Sequence, residues 1–330
     1  MPRTRSARPK ATRKTKRRRA TTSIDALDLS IVGALQVDPL TTNKDMAQRF
    51  GVAEPTIANR IRSMTERHII RVTIQRDLTA LGYPVFAFLD VYSDGRPPSE
   101  IARDLAAIDE IMSVVTSLGG PEVLVNVFAE THADLQRLIE GPVPSTRGIR
   151  RAELHVVLQT LKQKAGYGNL SQTIPRSIPR NDSDPIDEQI IALLAEDGRR
   201  GNRDIARQLD LSEGAIRQRL KRLIEGKVIT RGVICDPFAL GRTSAAYARI
   251  WVDPPHIPQL TKALLDSAAC YYAAKTTGRF NFITLFVSNS LESVESALTQ
   301  VTSKVRGIAE TEVKVLVGQV KHRYDLINLV

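Results

Sequence analysis

The stretch GAIRQRLKRLIEGKVI at residues 214–229 places isoleucine and leucine on one side of a helix and arginine, lysine and glutamine on the other. The stretch PTIANRIRSMTERHII at residues 55–70 follows the same pattern 159 positions earlier, and the two align without an insertion. Sixteen positions are identical between residues 28–82 and residues 187–241. Two copies are too few for a solenoid. The sequence therefore predicts the duplication of a whole unit.

Each copy begins with the pattern of three short helices and one strand. Asn43 and Asn202 precede the second helix, where an asparagine side chain is expected to cap the helix. A tight turn separates the second helix from the third, which is typical of a winged-type helix-turn-helix. The predicted first helices, second helices and strands lie at 28–37, 44–50 and 69–76, and at 187–196, 203–209 and 228–235.

The third helix of each copy presents a polar face that suits DNA. With Ile57 or Ile216 in the core, a rotation of about 100° per residue turns polar side chains outward. Asn and Gln pair with adenine, Arg with guanine, and Lys and Arg with phosphate. The predicted DNA-binding residues are Pro55, Thr56, Asn59, Arg60, Arg62, Ser63, Gly214, Ala215, Arg217, Gln218, Arg219, Lys221 and Arg222. Arg60 and Arg219 border the apolar stripe, so they either contact phosphate or brace the fold. An ordinary solvated face is the alternative for either helix alone.

After the helices, the apolar pattern changes to the two-residue period of strands. The order in each copy is β-α-β-β-α-β, which predicts a ferredoxin-like sheet with helices on one face. In the last strand, Val313, Val315 and Val317 alternate with polar or smaller residues, so their face is expected to be buried. The uncovered sheet faces are expected to pack back to back, within one chain or between chains.

The N-terminus and the middle of the chain differ in composition from the two repeats. Residues 1–20 hold ten basic residues and no acid, and the rest is nearly balanced, with 37 basic and 36 acidic residues. Such a tail is expected to be disordered and to anchor on nucleic acid phosphates, or else to be solvated without a partner. A proline- and serine-rich stretch predicts a linker. The predicted segments are a tail at 1–24, helix-turn-helix domains at 25–76 and 184–235, sheet domains at 77–161 and 236–322, and a linker at 162–183.

Several classes of protein lack support in the sequence. No window approaches the roughly 18 apolar residues of a membrane span. The two cysteines, Cys235 and Cys270, suggest no disulfide framework, which fits a reducing compartment and predicts a cytoplasmic protein. GYGNLS at 166–171 resembles the start of a dinucleotide fingerprint, but prolines follow in place of a helix. No nucleophile elbow, paired-histidine metal motif or phosphate loop occurs. We therefore predict no catalytic residue, no metal and no cofactor.

The combined motifs resemble the Lrp/AsnC (feast/famine) transcription regulators, twice, over residues 25–322. The resemblance rests on LDLSIVGALQVD, IDEQIIALLAEDGR and LSEGAIRQRLKRLIEGKVI, on DPFALG at 236–241 with DLTALG at 77–82, and on a glycine turn before the third strand. It implies an α+β fold of two tandem units, each a winged-type helix-turn-helix followed by a ferredoxin-like βαββαβ (ACT-like, RAM) domain. It also implies a regulator that binds DNA, forms dimers or larger assemblies, and binds an amino acid or related molecule near the sheet turns.

The effector turns depart from the family pattern of Gly-x-aromatic-Asp-aliphatic. Copy one has GGPEV at 119–123, and copy two has GRFNF at 278–282, with Asn281 in the place of the acid. An amide cannot pair with a ligand ammonium as a carboxylate does, so the two pockets are expected to differ in ligand, or one is empty. The effector-binding residues implied by the resemblance are Gly119, Gly120, Glu122, Gly278, Arg279, Phe280 and Asn281.

The expected function is that of a sequence-specific regulator of double-stranded DNA that responds to an amino acid or related small molecule. The protein is expected to act as a homo-oligomer or as an intramolecular pseudodimer. Copy one has Ala53 where copy two has the capping residue Ser212, and fewer outward basic residues, so we expect it to bind DNA less tightly. One alternative is an enzyme like the sirohaem decarboxylases, which share this architecture. The other is an architectural protein that binds DNA through its tail.

Overall fold

The computed structural model describes residues 24–163, 184–237, 239–323 and 325–327. The predicted tail, except residue 24, and the predicted linker, except residues 162–163, lie outside these ranges. The elements of the first half are α1 (Ala26–Val37), α2 (Asn43–Phe50), α3 (Glu54–Glu66), β1 (Ile70–Asp77), β2 (Val85–Ser93), α4 (Pro98–Ala106), β3 (Ile111–Ser117), β4 (Val123–Ala129), α5 (His132–Glu140), α6 (Pro142–Ser145) and β5 (Ile149–Gln163).

The described part of the second half repeats this order without a counterpart of α6, with a short 3₁₀ turn at Pro254–His256 before its fourth helix and with an additional strand at its end. Its elements are α7 (Pro185–Glu196), α8 (Asn202–Leu209), α9 (Glu213–Glu225), β6 (Ile229–Cys235), β7 (Ser244–Val252), α10 (Ile257–Asp266), β8 (Cys270–Thr276), β9 (Phe282–Ser288), α11 (Leu291–Thr302), β10 (Ile308–His322) and β11 (Leu326–Ile327). The predicted repeat of three helices followed by a βαββαβ domain is therefore confirmed in both halves.

The second helix of each unit begins one residue earlier than predicted, at the asparagine that was expected to be its cap. Asn43 is the first residue of α2, and the cap is Thr42, whose hydroxyl accepts a hydrogen bond from the Asp45 backbone N–H at 3.1 Å. Asn202 is likewise the first residue of α8, after Gly201, which has no side chain to act as a cap. The prediction that the two asparagines cap these helices is therefore wrong.

The strands β1 and β6 pair with each other, antiparallel, and so join the two helix-turn-helix units. Val233 and Cys235 of β6 pack in the core of the first helix-turn-helix, and Ile74 of β1 packs in the core of the second. β11 pairs in parallel with the other edge of β1. The expected wing is thus a ribbon to which each half contributes a strand, so each unit completes its core with a residue of the other half.

The two ferredoxin-like sheets close into one eight-stranded barrel in the order β10-β3-β4-β2-β5-β8-β9-β7. Antiparallel pairing of β5 with β8 and of β10 with β3 joins the sheets at both edges. Aromatic side chains fill the barrel interior, where the Phe88 ring centroid lies 5.8 Å from that of Tyr247 and 5.4 Å from that of Tyr272. The predicted packing of the two uncovered sheet faces is confirmed within one chain, and closure pairs the edges that each sheet alone would expose.

The outer face of β10 differs from the expectation. Val313 is 44% exposed and Val317 is 58% exposed, so the predicted burial of their face is wrong. Leu316, which points the opposite way, packs against the barrel core. The helices α10 and α11 pack on β7, β8 and β9, and α4 contacts β10, where Val320 joins the cluster under α4. The part of β10 that carries Val313 and Val317 therefore stays open. None of the described helices has the length and apolar character that crossing a bilayer requires.

Candidate nucleic-acid interface and effector turns

The outward faces of both third helices are open to solvent. Ile57 and Met64 anchor the inner side of α3, and Ile216, Leu220 and Leu223 anchor that of α9. Of the predicted DNA-binding residues, the exposed ones are Pro55, Asn59, Arg62, Gly214, Arg217, Gln218, Lys221 and Arg222, and the half-buried ones are Thr56, Arg60, Ser63, Ala215 and Arg219. The structure thus groups each predicted set on one accessible helix face.

The two equivalent arginines at the border of the apolar stripe tie the third helix to the start of the first. Arg60 Nη1 lies 2.7 Å from Asp25 Oδ2, and Arg219 Nη1 lies 2.7 Å from Asp184 Oδ2. The hydrogen bond from Arg219 and one from a backbone N–H lower the pKa of the Asp184 carboxyl. This geometry supports the bracing interpretation of both arginines rather than the phosphate contact.

The outward basic residues of α9 differ in how they are engaged. Arg222 pairs with the buried carboxylate of Asp187 on α7. Among the described residues, the ion pair of Lys221 is an exposed one with Glu225, one turn away at 3.8 Å. Exposed pairs of this kind contribute about 0.3–0.5 kcal/mol, so phosphate can replace the carboxylate at little cost. Of the two, Lys221 therefore has the cation that another anion can bind more easily.

One contact between the two helix-turn-helix units was missed by sequence reasoning. Arg199, in the loop before α8, donates to Asn43 Oδ1 at 3.2 Å and to the Thr41 carbonyl at 2.9 Å. The arginine belongs to the second unit and its acceptors to the first, so the pattern inside either repeat carries no signal of the contact. It holds the loops before α2 and α8 together.

The two effector turns use equivalent side chains to hold the end of a neighbouring strand. Glu122 Oε2 accepts a hydrogen bond from the Ser93 backbone N–H at 2.9 Å. Asn281 Oδ1 accepts from the Val252 N–H at 3.0 Å, and Asn281 Nδ2 donates to the Val252 carbonyl at 2.7 Å. The acid and the amide thus both have backbone partners, at positions 159 residues apart in the two copies.

The remaining residues of the turns divide between exposed and buried. Arg279 is exposed, lies 5.0 Å from the ring centroid of the buried Phe280, and pairs with Glu310. Gly278 has a φ of +102°, and a Cβ at that position would lie 2.8 Å from Nδ1 of His155. Glycine is therefore required there both by the backbone conformation and by the close approach. The predicted residues lie together within each turn, with Arg279 the most accessible side chain of the second.

A buried charged cluster lies inside the barrel and was not predicted. Asp90 on β2 forms an ion pair with Arg249 on β7. His155 Nε2 lies 3.2 Å from Asp90 Oδ2, and Arg249 Nη1 lies 3.2 Å from Glu312 Oε1. The available signal was the single charge in each of FLDVY and ARIWV, at equivalent positions of the repeat. Partners on different strands cannot be paired from that signal alone.

The same cluster brings metal-ligating types together, since ligand atoms of Asp90, Glu153 and His155 lie within 4.8 Å of one another. Arg249 also pairs with Asp90, and its positive charge would repel a metal ion bound to that carboxylate. The arrangement therefore acts as an ion-pair network rather than a metal site.

Comparison with known proteins matches the AsnC-type helix-turn-helix domain to residues 24–65 and 184–224, and the Lrp/AsnC ligand binding domain to residues 86–167. The HTH-type transcriptional regulator FL11 of Pyrococcus horikoshii is 30% identical over 143 residues, which are 42% of this chain and 93% of that protein. The chain belongs to the Lrp/AsnC family. An uncharacterized HTH-type transcriptional regulator of Pyrococcus abyssi is 29% identical over 141 residues, 42% of this Lrp/AsnC chain and 95% of that protein.

The tandem arrangement of this Lrp/AsnC protein also occurs in a solved structure. The crystal structure of the siroheme decarboxylase NirDL superimposes with a TM-score of 0.62 over 90% of this chain and 92% of that one. The sequence identity is 14%, so the similarity shows a shared two-unit fold alone.

Proposed function

We propose that this Lrp/AsnC protein reads a specific DNA sequence with α3 and α9, each lying in a major groove. The single observation that carries the proposal is the solvent exposure of both outward faces, at Asn59 and Arg62 of α3 and at Gln218 and Lys221 of α9. Phosphate contacts from the flanking residues set the register, and base-edge contacts supply the specificity.

We propose further that one chain acts as a pseudodimer on paired half-sites. The shared ribbon and the closed barrel support a defined relation between the two readers. Two recognition helices that bind one face of the duplex require half-sites about 34 Å apart. Because Gln218 and Lys221 stand where α3 has Asn59 and Arg62, we expect an asymmetric operator. The protein would act in the cytoplasm, beside the DNA, where cysteines remain reduced.

We propose that a small molecule at the sheet turns, an amino acid or a related compound, changes the placement of the helix-turn-helix units. The exposed guanidinium of Arg279 can pair with a ligand carboxylate in place of Glu310. Gly120 is the equivalent residue in the first turn and offers no side chain. The two turns are therefore expected to bind different ligands or to bind one ligand per chain.

The test is to select bound genomic fragments with the full chain and to footprint the selected site. The double variant Gln218→Ala/Lys221→Ala is expected to lose protection in one half-site, and Asn59→Ala/Arg62→Ala in the other. Equal losses at mirror-related bases would argue against divided roles. Footprinting with and without a panel of amino acids tests the effector.

Two further experiments address the alternative functions. Deleting residues 1–22 is expected to preserve the footprint while weakening the salt-dependent background. A footprint that disappears would favour the architectural alternative. We propose that the chain is not an enzyme, so purified protein is expected to show no haem-like absorbance and no decarboxylation of siroheme. Either signal would favour the enzymatic alternative.

A further inference from the structure

A cleft of about 740 Å³ lies between the first helix of the first helix-turn-helix and elements of the second half. Leu29 and Val37 of α1 line one wall, and Arg231 of β6 and Tyr271 of β8 line the opposite side. Leu29 is 50% exposed and Val37 is 87% exposed. The cleft therefore leaves apolar surface uncovered at the junction between the first helix-turn-helix and the eight-stranded barrel.

The charged side chains that line this cleft have one sign. Arg231 and Arg242 are the charged residues among those that line it in the described part of the chain, and none of these is acidic. Nε of Arg231 is buried and has no hydrogen-bond partner among the described residues. Burial lowers the pKa of this guanidinium. An unpartnered buried N–H of a half-buried guanidinium carries a desolvation cost, and a bound anion that accepts from it would offset that cost.

The two arginines also have the right neighbours for an amphipathic anion. Arg231 projects from the same face of β6 as Val233 and Cys235, towards α1, because alternate residues of a strand share a face. The guanidinium of Arg242 lies 5.4 Å from the ring centroid of Tyr271. Cationic and apolar groups therefore border the same space.

The equivalent junction in the other half is closed by residues that the first junction lacks. There, Arg76 of β1 forms two hydrogen bonds of 2.8 Å with Glu188 of α7. The equivalent positions at the open junction are Cys235 and Leu29, which cannot form an ion pair. The first junction therefore lacks the bidentate salt bridge that joins helix and strand at the second.

The two junctions also differ in the hydrogen bonds between the strand and the end of the helix. At the closed junction, the Thr73 hydroxyl donates to the Ala195 carbonyl at 2.8 Å, and the Gly198 N–H donates to the Val72 carbonyl at 3.0 Å. Position 232, equivalent to Thr73, is glycine and offers no such side chain. The open junction therefore lacks this hydroxyl-to-carbonyl hydrogen bond, and its helix and strand are joined instead by a hydrogen bond of 3.5 Å from Gln36 Nε2 to Cys235 Sγ.

We propose that this cleft binds an organic anion that combines one carboxylate or sulfonate with an apolar body. Arg231 and Arg242 bind the acidic group, and Leu29, Val37 and Tyr271 contact the body. The site is separate from the effector turns, and binding there does not depend on the proposed DNA contacts. An occupied cleft links the first helix-turn-helix to the second half of the barrel, so the ligand stabilises that junction by mass action.

The test uses 1-anilinonaphthalene-8-sulfonate as the anionic probe and the full chain without DNA, in enough salt to screen exposed basic residues. We expect saturable fluorescence enhancement with one site per chain. The uncharged analogue N-phenyl-1-naphthylamine is expected to bind at least tenfold more weakly. Arg231→Gln is expected to weaken binding of the anionic probe at least tenfold without lowering thermal stability, because it removes a half-buried charge whose Nε has no partner among the described residues.

A second variant fills the cleft. A Cβ at Gly33 of α1 has no atom within 4 Å, so Gly33→Leu adds volume to the cleft without a clash at the Cβ and is expected to abolish binding. The matched control is Ala192→Leu, at the equivalent but exposed position of α7, which is expected to leave binding unchanged. Absence of binding to the wild type, equal binding of the neutral probe, or binding unaffected by both cleft variants would overturn the proposal.

Discussion

Asp90 and Arg249 occupy the same position in the two repeats, and their side chains form an ion pair inside the barrel. Both side chains are almost fully buried. In a barrel made from two identical halves, this position would bring like charges together, which is destabilising at short range in a buried site. The divergence to one acid and one base therefore favours the pairing of the two unlike halves of one chain.

Removal of the acid from this pair is expected to destabilise the whole barrel. Asp90→Ala leaves Arg249 buried with Glu312 at 3.2 Å as its remaining partner, and the expected loss in the free energy of unfolding is about 3 kcal/mol. Denaturant unfolding of the full chain measures the loss. The exposed Glu295→Ala serves as control and is expected to change it by less than about 0.5 kcal/mol. A loss for Asp90→Ala no larger than that for Glu295→Ala would show that the ion pair does not contribute to stability.

The two recognition helices offer a reciprocal test of capping. Ser212 accepts a hydrogen bond from the Ala215 N–H at 3.1 Å, whereas Ala53 makes no such bond in nearly the same backbone conformation. Ala53→Ser is expected to stabilise α3 by about 1 kcal/mol, and Ser212→Ala to destabilise α9 by about the same amount. Amide hydrogen exchange in each helix measures the changes. Shifts of the same sign would contradict the cap assignment.

Two glycines at the junctions are expected to respond oppositely to a methyl group. A Cβ at Gly198 would lie 2.7–2.9 Å from backbone atoms of Thr73, so Gly198→Ala is expected to cost about 1–3 kcal/mol. Gly33→Ala meets no atom within 4 Å in the interior of α1 and is expected to stabilise by about 0.5–1 kcal/mol. Thermal unfolding of both variants provides the comparison, and a neutral Gly198→Ala would refute the close packing.

Acid is expected to weaken the second helix-turn-helix through Asp184. The hydrogen bond from Arg219 is the main cause that lowers the pKa of this carboxyl from its ordinary value of 3.8. A lowered pKa in the folded state contributes stability above the unfolded pKa, and that contribution disappears as the pH falls through the folded value. Unfolding measured from about pH 5 downward is therefore expected to show a smaller pH dependence in Arg219→Gln. An unchanged slope would mean that this ion pair does not contribute.

The sequence by itself determined the repeat, the order of elements and the accessible faces of the third helices. These follow from interactions between near neighbours, because apolar periodicity sets which side of a helix is buried. The cap at Ser212 was also predictable, because its partner is the backbone N–H of Ala215, three residues later in the chain. The error at Asn43 has the same origin, since a shift of one residue in the helix start moves the cap to Thr42. Local patterns identify elements more reliably than their end residues.

Only the tertiary structure decided which elements of the two halves meet. Alternation correctly groups Val313 with Val317, but the helices packed on neighbouring strands determine whether that face is covered. The Asp90–Arg249 pair and the open cleft beside Arg231 depend on closure of two sheets into one barrel and on the pairing of β1 with β6. Their partners lie more than 150 residues apart, so their contact energy depends on the whole fold and leaves no periodic signal in the chain.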